Sequence, residues 1–300
     1  MLGHADTVFP AGTVGTEMFP RIEEGKLYGP GAFDMKGGVL SMAYAIKALS
    51  ELGMFPDKQV VVIVNSDEES GSFFSRDEII KQALKSKCVF CLEPAPAGND
   101  AGGLKTERYG RSEYTIKIQG RSAHSGNNPH DAINPIIEMS KLTQDIADLE
   151  NQYEGLISSI VYAHSGTAKT ALIPGEAEMY LDIRFETYPV GERIHAHIMN
   201  MRPYNEQIKL EITGKIEKPP LMFDKRLFEL AQNVGSEIGI EMRKVKVGGG
   251  SDGNFTSGAG VPTLDGMGMI GEYIHNNNEF IYIENIPARV TILARMIQEV

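Results

Sequence analysis

The sequence of 300 residues lacks the features that mark several protein classes. It contains no apolar run near the length of about 20 residues that a membrane-spanning helix needs, so no membrane partner is predicted. It has no cluster of Lys and Arg, and its net charge of -11 with a pI near 5.2 argues against a nucleic acid partner. Its first residues do not have the charged-then-apolar layout of a secretory signal.

Cysteine is scarce, which limits any disulfide or thiol-based metal site to a single pair of residues. The two cysteines, Cys88 and Cys91, lie in an apolar run that predicts a strand. In a strand, side chains three positions apart point to opposite faces, so a redox or metal-binding pair is disfavoured although the spacing permits one. We expect buried free thiols in a reduced, cytoplasmic protein.

The first third of the sequence alternates predicted strands and helices. Apolar residues recur at helical spacing between 39 and 49, and Gly53 is suited to end that helix. Residues 59–65 form a β-branched run, which predicts a strand buried on both faces. Ser75 and Glu78 match a capping box for a helix that ends near Lys85. This alternation is typical of an α/β domain with a mainly parallel sheet.

The pattern changes near Gly110. Residues 112–119 and 176–185 alternate polar and apolar positions, which predicts half-exposed strands. One helix is predicted to begin at Asn134 and Pro135, and a second helix spans about 190–201. The α/β pattern returns after residue 220. We therefore predict a catalytic domain of residues 1–109 and 221–300, interrupted by an inserted α+β domain of residues 110–220.

Acidic and imidazole side chains follow the predicted strands or turn-rich segments of the first domain. They are Asp34, Glu68, Glu69, Glu93 and His275. Each alone could be a helix cap or part of a solvated loop. Together they reach one edge of a parallel sheet, where ligands bind in open α/β folds. Adjacent carboxylates there are costly unless a cation neutralises them, which indicates a metal site.

Two further motifs bear on this site. His4 and Asp6 form a His-x-Asp pair, a common arrangement in which a carboxylate orients a metal-binding imidazole. The glycines at 248–250 could suggest a phosphate-binding loop, but the lysine of that motif is missing.

The combined motifs resemble those of a di-zinc metallopeptidase and aminoacylase family. The family includes glutamate carboxypeptidase, aminoacylase, succinyl-diaminopimelate desuccinylase and tripeptidase T, and the likeness is strongest to bacterial glutamate carboxypeptidase. The resemblance spans essentially the whole sequence and is carried, in order, by the segments 3–8, 29–38, 67–72, 93–94, 122–126, 248–252 and 274–275. It implies a zinc-exopeptidase-like α/β catalytic domain with an inserted α+β dimerisation (lid) domain.

The resemblance implies a ligand set for two Zn²⁺ ions, with Co²⁺ or Mn²⁺ as alternatives. Asp34 would bridge the two metals. His4 and Glu93 would complete one shell, and Glu69 and His275 would complete the other.

The resemblance also implies catalytic roles. Glu68 would be the general base that deprotonates the attacking water, and Asp6 would orient His4. His124 would reach from the inserted domain to the oxyanion. It could otherwise be an exposed loop histidine.

Substrate contacts are implied at three positions. Arg184 resembles the arginine that binds a substrate carboxylate, although it could instead pair with a neighbouring strand residue. Gly249 and Gly250 could offer backbone N–H groups. Ala171 stands where family members usually carry Asn, which leaves the substrate specificity open.

The expected activity is a metal-dependent exopeptidase that releases a C-terminal amino acid, for example glutamate, from a small peptide or N-acyl amino acid. Within the family, an N-acyl-amino-acid deacylase or a desuccinylase is the alternative. We expect a homodimer that forms through the inserted domain.

The start of the sequence suggests a second hypothesis. Three residues precede His4, whereas a central strand usually has about five or six residues. We therefore expect the N-terminal part of the catalytic domain to be missing and this chain to be unstable or prone to aggregation. An inactive or merely metal-binding remnant of such an enzyme is the corresponding alternative function.

Overall fold

The computed structural model describes residues 1–167 and 171–300. The strands, in chain order, are β1 (Leu2–His4), β2 (Arg21–Glu23), β3 (Lys26–Tyr28), β4 (Ile63–Asn65), β5 (Val89–Phe90), β6 (Gly103–Arg108), β7 (Gly110–Gln119), β8 (Ala123–His124), β9 (Leu156–Ser165), β10 (Leu172–Ile173), β11 (Glu176–Phe185), β12 (Lys209–Lys218), β13 (Arg243–Val247), β14 (Thr263–Leu264), β15 (Gly271–Glu272) and β16 (Phe280–Tyr282). The α-helices are α1 (Gly37–Glu51), α2 (Arg76–Ala83), α3 (Pro135–Gln152), α4 (Tyr188–Met199), α5 (Lys225–Glu237), α6 (Gly253–Gly258) and α7 (Ile286–Glu299).

The chain divides into two compact units. The first unit comprises Met1–Arg108 and Leu221–Val300, and the second unit comprises Tyr109–Pro220.

The first unit is built on short parallel strand pairs. β1 pairs with β4, β5 with β14, and β6 with β13, all in parallel. A parallel bridge between Leu2 and Cys91 connects β1 to the chain just after β5. A separate antiparallel sheet has the order β15-β16-β3-β2. The expected α/β class with a parallel component is therefore confirmed, and the sheets are mixed.

Three helices form the main core of the first unit together with these strands. Met42 and Leu49 of α1, Leu227 of α5 and Leu293 of α7 are buried in a single apolar cluster with Phe90 of β5. Such a cluster stabilises the unit because each buried aliphatic side chain contributes about 1.5–3 kcal/mol. The helices thereby fix the strands whose ends carry the predicted site.

The second unit is a four-stranded antiparallel sheet covered by two helices. The strand order is β12-β7-β11-β9. Alternate residues of β7 and β11, such as Ile116 and Leu181, are buried under Leu142 of α3 and Ile194 of α4. The second unit thus combines antiparallel strands with two helices.

Several local predictions are confirmed. β11 begins and ends at the predicted residues, and β7 shows the predicted alternation of buried and half-exposed side chains. The Asn134 side chain accepts a hydrogen bond from the Ile136 N–H at the start of α3. Gly53 has a φ of +66° just after α1, a conformation that glycine adopts without steric cost.

Two local predictions are wrong. The β-branched run is a strand only at Ile63–Asn65, and Val62 and Val64 are both 43% exposed. Within the described residues β4 pairs on one side only, with β1, so burial on both faces does not arise. The Ser75 side chain does not cap α2, which ends at Ala83. Its Oγ instead accepts a hydrogen bond from Asn65 Nδ2 at 2.9 Å.

The two cysteines are free thiols in different surroundings. Cys91 is buried in an apolar cluster with Leu2 and Ile79, whereas Cys88 is half-buried against the main core. Burial raises the pKa of both thiols. In the part of the chain that is described, no helix combines the length and the apolar character needed to cross a membrane.

Candidate metal centre

Three of the predicted ligands lie where strands of the first unit end. His4 is the last residue of β1, and its parallel partner is Asn65, the last residue of β4. Glu69 lies in the turn after β4, and Glu93 follows β5. Because the carboxyl ends of parallel strands meet at one edge, these side chains approach each other there.

The other two predicted ligands come from turns. Asp34 lies in an irregular turn, Ala32–Lys36, between β3 and α1, and it is 5% exposed. His275 follows β15 in a turn with a φ of +60°, and its side chain is 47% exposed. The site is therefore closed on the His4 side and open on the His275 side.

Asp34 lies between the two histidines. His4 Nε2 is 3.3 Å from Asp34 Oδ1, and His275 Nε2 is 3.0 Å from Asp34 Oδ2. The two oxygens of one carboxylate thus face different imidazoles. This is the arrangement that a carboxylate shared by two cations requires.

Each histidine has a second carboxylate on its own side. Glu93 Oε1 lies 3.5 Å from His4 Nε2, and Glu69 Oε2 lies 3.4 Å from His275 Nε2. Ligand atoms of His4, Asp34 and Glu69 all lie within 4.8 Å of one another. The two histidines, each with its second carboxylate, therefore lie on either side of Asp34.

Glu68 also reaches this centre. One of its oxygens lies within 4.8 Å of ligand atoms of His4 and Glu93. The Glu68 side chain is half-buried. Its neighbour Glu69 instead lies with His4 and Asp34. Adjacent residues in the turn after β4 thus contribute to different groups.

The environment of His4 fixes its tautomer. Nδ1 is 3.0 Å from the backbone oxygen of Asp6 and 3.4 Å from Asp6 Oδ1. An Nδ1–H that donates to the Asp6 carbonyl leaves the lone pair of a neutral ring on Nε2, the atom that faces Asp34 and Glu93. The hydrogen bond to the His4 ring is thus made by the Asp6 backbone carbonyl, and the Asp6 carboxylate lies beside it.

The pKa shifts of these groups reflect a concentration of negative charge that a bound cation would neutralise. Burial favours neutral His4, but the Asp34 and Glu93 carboxylates next to Nε2 outweigh it and raise the pKa of His4 to about 12. Burial also opposes ionisation of Asp34, yet His275 and His4 hold its pKa well below the ordinary range. Burial, reinforced by the charge of Asp34, raises the pKa of Glu69 to about 7.

Unpartnered atoms point in the same direction. His4 Nε2, Asp34 Oδ1 and Glu69 Oε1 are buried and have no hydrogen-bond partner. Buried polar atoms are nearly always satisfied, so three in one cluster indicate a missing bound group. The donors are nitrogen and carboxylate oxygen without thiolate, a set that fits Zn²⁺, Co²⁺ or Mn²⁺. The residues present thus fit divalent cations.

Glu279 supports Asp34 and was missed by the sequence analysis. Its side chain is fully buried, and Oε1 accepts hydrogen bonds from the backbone N–H groups of Phe33 at 2.7 Å and Asp34 at 3.0 Å. It lies in an asparagine-rich stretch with no periodic pattern, so no local signal identified it.

A buried polar network supports the turn that carries Glu68 and Glu69. Asn65 Nδ2 donates to Asp252 Oδ2 at 2.8 Å, and Ser72 Oγ donates to Asp252 Oδ1. Asp252 is the aspartate of the Gly-Gly-Gly-Ser-Asp motif, so the sequence identified the segment but not this contact.

Gly249 and Gly250 lie in the first unit, in the loop between β13 and α6. Their carbonyl oxygens accept hydrogen bonds from Arg108 Nη1 at 2.9 Å and 3.3 Å. A Cβ added at Gly249 would meet no heavy atom within 4 Å, so the loop is open at this position.

His124 and Arg184 belong to the second unit. The exposed His124 side chain accepts hydrogen bonds at Nδ1 from the Gly126 and Asn127 N–H groups, each at 3.1 Å. A neutral His124 therefore carries its proton on Nε2 and can donate from it. Ala171 accepts a hydrogen bond from the Ser125 N–H at its backbone oxygen.

Arg184 is paired with a carboxylate on its own strand. Its Nε and Nη2 donate to Asp182 Oδ1 at 2.6 Å and Oδ2 at 3.1 Å. Arg111 Nε donates to the same carboxylate at 2.8 Å. Arg184 is thus paired with a neighbouring strand residue, the alternative that the sequence left open.

The chain is similar to several hydrolases over almost its whole length. Carboxypeptidase G2 from Pseudomonas sp. (strain RS-16) is 29% identical over all of this chain and 73% of its own length. Succinyl-diaminopimelate desuccinylase from Acinetobacter baumannii is 28% identical over 99% of this chain and 81% of its own length. The crystal structure of aminopeptidase PepT from Bacillus cereus shares the fold, with a TM-score of 0.82 at 22% identity, over 99% of this chain and 79% of that one.

The sequence profile described as peptidase family M20/M25/M40 matches residues 1–299. The match includes every residue of the candidate centre. The chain belongs to peptidase family M20/M25/M40 and is a metal-dependent hydrolase of that family.

Proposed function

We propose that this protein is a two-metal exopeptidase that releases a C-terminal amino acid, with glutamate as the first candidate, from a peptide or an N-acyl amino acid. The observation that carries the proposal is Asp34, whose two oxygens lie 3.3 Å and 3.0 Å from two different histidines. His4 and Glu93 would hold one cation with Asp34, and Glu69 and His275 would hold the other.

Two divalent cations at this centre would polarise the scissile carbonyl and lower the pKa of a bound water. The buried carboxylates of Asp34 and Glu93 would help to neutralise these cations at the closed side of the site. The open side, near His275, leaves room for substrate to enter.

Glu68 is the proposed general base. It reaches His4 and Glu93 within 4.8 Å, so its carboxylate lies beside the place where water would be activated. It would take the proton from that water and deliver it to the nitrogen of the leaving amino acid. A positioned base of this kind contributes about 10²–10⁴-fold to the rate.

Three kinds of substrate contact are proposed from the family resemblance. Gly249, in an open loop, and Gly250 would offer backbone N–H groups, and Arg184 would bind the carboxylate of the leaving amino acid. His124 would donate from Nε2 to the developing oxyanion, which its accepting Nδ1 favours. These three roles rest on the family resemblance.

The test is hydrolysis of peptidyl-glutamate and N-acyl-glutamate by protein loaded with Zn²⁺ or Co²⁺. We expect release of free glutamate, about two metals per chain, and a loss of about 100-fold or more in kcat for Glu68→Gln with unchanged metal content. Glu17→Gln, at an exposed glutamate of the same unit, is the matched control and should retain wild-type turnover. Full activity of Glu68→Gln would refute the assignment of the base.

The same assay separates the alternatives. The likeness to a desuccinylase makes N-succinyl-diaminopimelate the comparison substrate, and faster turnover of it would favour desuccinylation. Two bound metals without turnover of any of these substrates would indicate a metal-binding protein that is not catalytic. Fewer than one metal per chain would contradict the two-metal proposal itself.

We also propose a homodimer that forms through the second unit. β9 is an edge strand of the four-stranded sheet in the described residues, and Val161 and Tyr162 on it are 58% and 49% exposed. Long apolar edge strands tend to pair with another chain. Val161→Lys should convert the dimer to a monomer in light scattering, whereas Thr213→Lys on the opposite edge strand should not. A monomeric wild-type protein would refute the proposal.

A cytoplasmic location is part of the same proposal. It is supported by the two free thiols, Cys88 and Cys91, which suit a reducing compartment. Fractionation of the native host with an antibody against the protein would test it, and recovery outside the cytoplasm would contradict it.

A further inference from the structure

Arg108 is a buried cation that the proposed mechanism does not use. It is the last residue of β6 and 4% exposed, and its backbone is fixed by two hydrogen bonds with Leu221. A buried arginine requires partners for its donors because desolvating its charge is costly. Its partners show what this side chain does.

The guanidinium donates in three directions. Nε donates to Asp265 Oδ2 at 2.7 Å, and Nη2 donates to Glu93 Oε2 at 3.4 Å. Nη1 donates to the carbonyl oxygens of Gly249 at 2.9 Å and Gly250 at 3.3 Å. One planar group thus contacts a proposed metal ligand, a buried acid and the open glycine loop.

The contact with Glu93 separates the two oxygens of that carboxylate. Oε2 faces Arg108, whereas Oε1 is 3.5 Å from His4 Nε2. Because the guanidinium is rigid and planar, it holds the carboxylate in one orientation and presents a single oxygen to the centre.

Asp265 completes a closed set of contacts with the loop. Besides Arg108, its Oδ2 accepts a hydrogen bond from Ser251 Oγ at 2.5 Å, and its Oδ1 accepts one from the Gly266 N–H at 2.5 Å. Asp265 is fully buried. Arg108 therefore holds the carbonyl groups of Gly249 and Gly250, and Asp265 holds the Ser251 side chain.

We infer that Arg108 is a positioning residue that couples the orientation of the metal ligand Glu93 to the Gly249–Gly250 loop. The inference rests on the proposed two-metal site and adds a residue that nothing in the family resemblance assigned. It means that a change at the loop, such as the arrival of substrate, is transmitted to one metal ligand through a single side chain.

Arg289 provides a matched control for a merely structural arginine. It is also buried in the first unit, at 1% exposed, but all its partners are backbone carbonyl groups: Gly268, Ala101, Gly103 and Gly266. Replacing either arginine by lysine leaves a positive charge but removes the planar fork, so both variants should lose stability.

The experiment compares Arg108→Lys and Arg289→Lys in the full chain, with Co²⁺ as the probe. Dissociation constants come from competition with a chelator, and the visible absorption of bound Co²⁺ reports its ligand geometry. We expect Arg108→Lys to weaken Co²⁺ binding by about 10–100-fold and to change the spectrum, as loss of a ligand-orienting partner typically does. Arg289→Lys should bind Co²⁺ with the wild-type spectrum even where its melting temperature falls equally.

Equal Co²⁺ affinity and identical spectra for Arg108→Lys and wild type would overturn the inference. If Arg108→Lys does not fold, Asp265→Asn takes its place, since it keeps the guanidinium but weakens its shortest contact. Weakened Co²⁺ binding by that variant supports the inference, and an unchanged dissociation constant overturns it. Failure of the wild-type chain to bind Co²⁺ would instead refute the proposed function, so the two failures are distinct.

Discussion

Asp6 accepts a hydrogen bond from the backbone N–H of Glu69, with Oδ2 3.0 Å from the nitrogen. Its other oxygen lies 3.4 Å from His4 Nδ1. One carboxylate thus contacts a proposed ligand of each metal. It links the end of β1 to the turn after β4.

The first prediction concerns this link. Asp6→Ala should weaken metal binding and lower kcat by about 10–100-fold. The reason is that His4 and the backbone N–H of Glu69, in the turn after β4, both lose the Asp6 carboxylate. Asp6→Asn should lose less, since the amide oxygen can still accept from the Glu69 N–H. Chelator competition and steady-state kinetics measure both effects, with Asp57→Ala at an exposed position as the control. Wild-type affinity in Asp6→Ala would contradict the prediction.

The second prediction concerns Glu279. Glu279→Leu should leave the N–H groups of Phe33 and Asp34 without an acceptor in a buried site, at a cost of about 1–3 kcal/mol for each group. Glu279→Gln keeps an acceptor oxygen and should be milder. Thermal unfolding and metal titration should both show this order.

The control for Glu279 is Glu284→Leu, at an exposed residue nearby in the sequence. It should change the free energy of unfolding by no more than about 0.5 kcal/mol. If Glu279→Leu behaved like this control, Glu279 would have no part in holding Asp34.

The third prediction is a pH dependence in the second unit. Burial opposes ionisation of Asp182, but hydrogen bonds from Arg184 and Arg111 lower its pKa. An aspartate whose pKa is lowered by folding stabilises the native state above its unfolded pKa of about 3.9, and this contribution is lost as the pH falls through the folded pKa. Asp182→Asn should therefore be less stable than wild type at neutral pH, with a difference that shrinks below about pH 4.

The expected difference at neutral pH is about 1 kcal/mol or less, because solvent screens a partly exposed pair. Melting temperatures of wild type and Asp182→Asn in chelator across this pH range would measure it. A difference that is constant with pH would show that the charge of Asp182 is not the cause.

The fourth prediction concerns metal removal. Chelation should lower the melting temperature, because Asp34, Glu69 and Glu93 then lie together without the cations that would neutralise them. Added Zn²⁺ should restore stability by about 2.7 kcal/mol at a concentration 100 times its dissociation constant. His4→Ala should lose most of this rescue, and His164→Ala in the second unit should keep it. Equal rescue in both variants would place the bound metal elsewhere.

Several acidic residues that the structure brings together at this centre stand at local signals in the sequence. Glu69 follows a β-branched strand, Glu93 ends the next one, and Asp34 precedes an apolar helical pattern. Parallel strands bring the ends that carry Glu69 and Glu93 together, whereas Asp34 comes from a turn after a strand of the antiparallel sheet. Asp265 has the same signal, directly after β14, and strand-end reasoning could have found it.

Other features depend on partners far away in the sequence. Arg108 and Glu279 act through residues 141 and 246 positions away, and nothing near them indicates these contacts. The strand predicted at 59–65 failed because β-branched residues favour strand wherever a partner exists, and only Ile63–Asn65 has one in the described residues. Ser75 failed as a cap because Asn65 engages its side chain.

The shared carboxylate of Asp34 has a consequence for metal loading. If Asp34 holds two cations as proposed, charge that one cation withdraws from its carboxylate would change the affinity for the other, so the two binding events would be thermodynamically linked. Linkage is reciprocal, and each metal alters the affinity for the other by the same factor. In the proposed two-metal centre, occupancy of the two sites would therefore be one linked equilibrium rather than two independent ones.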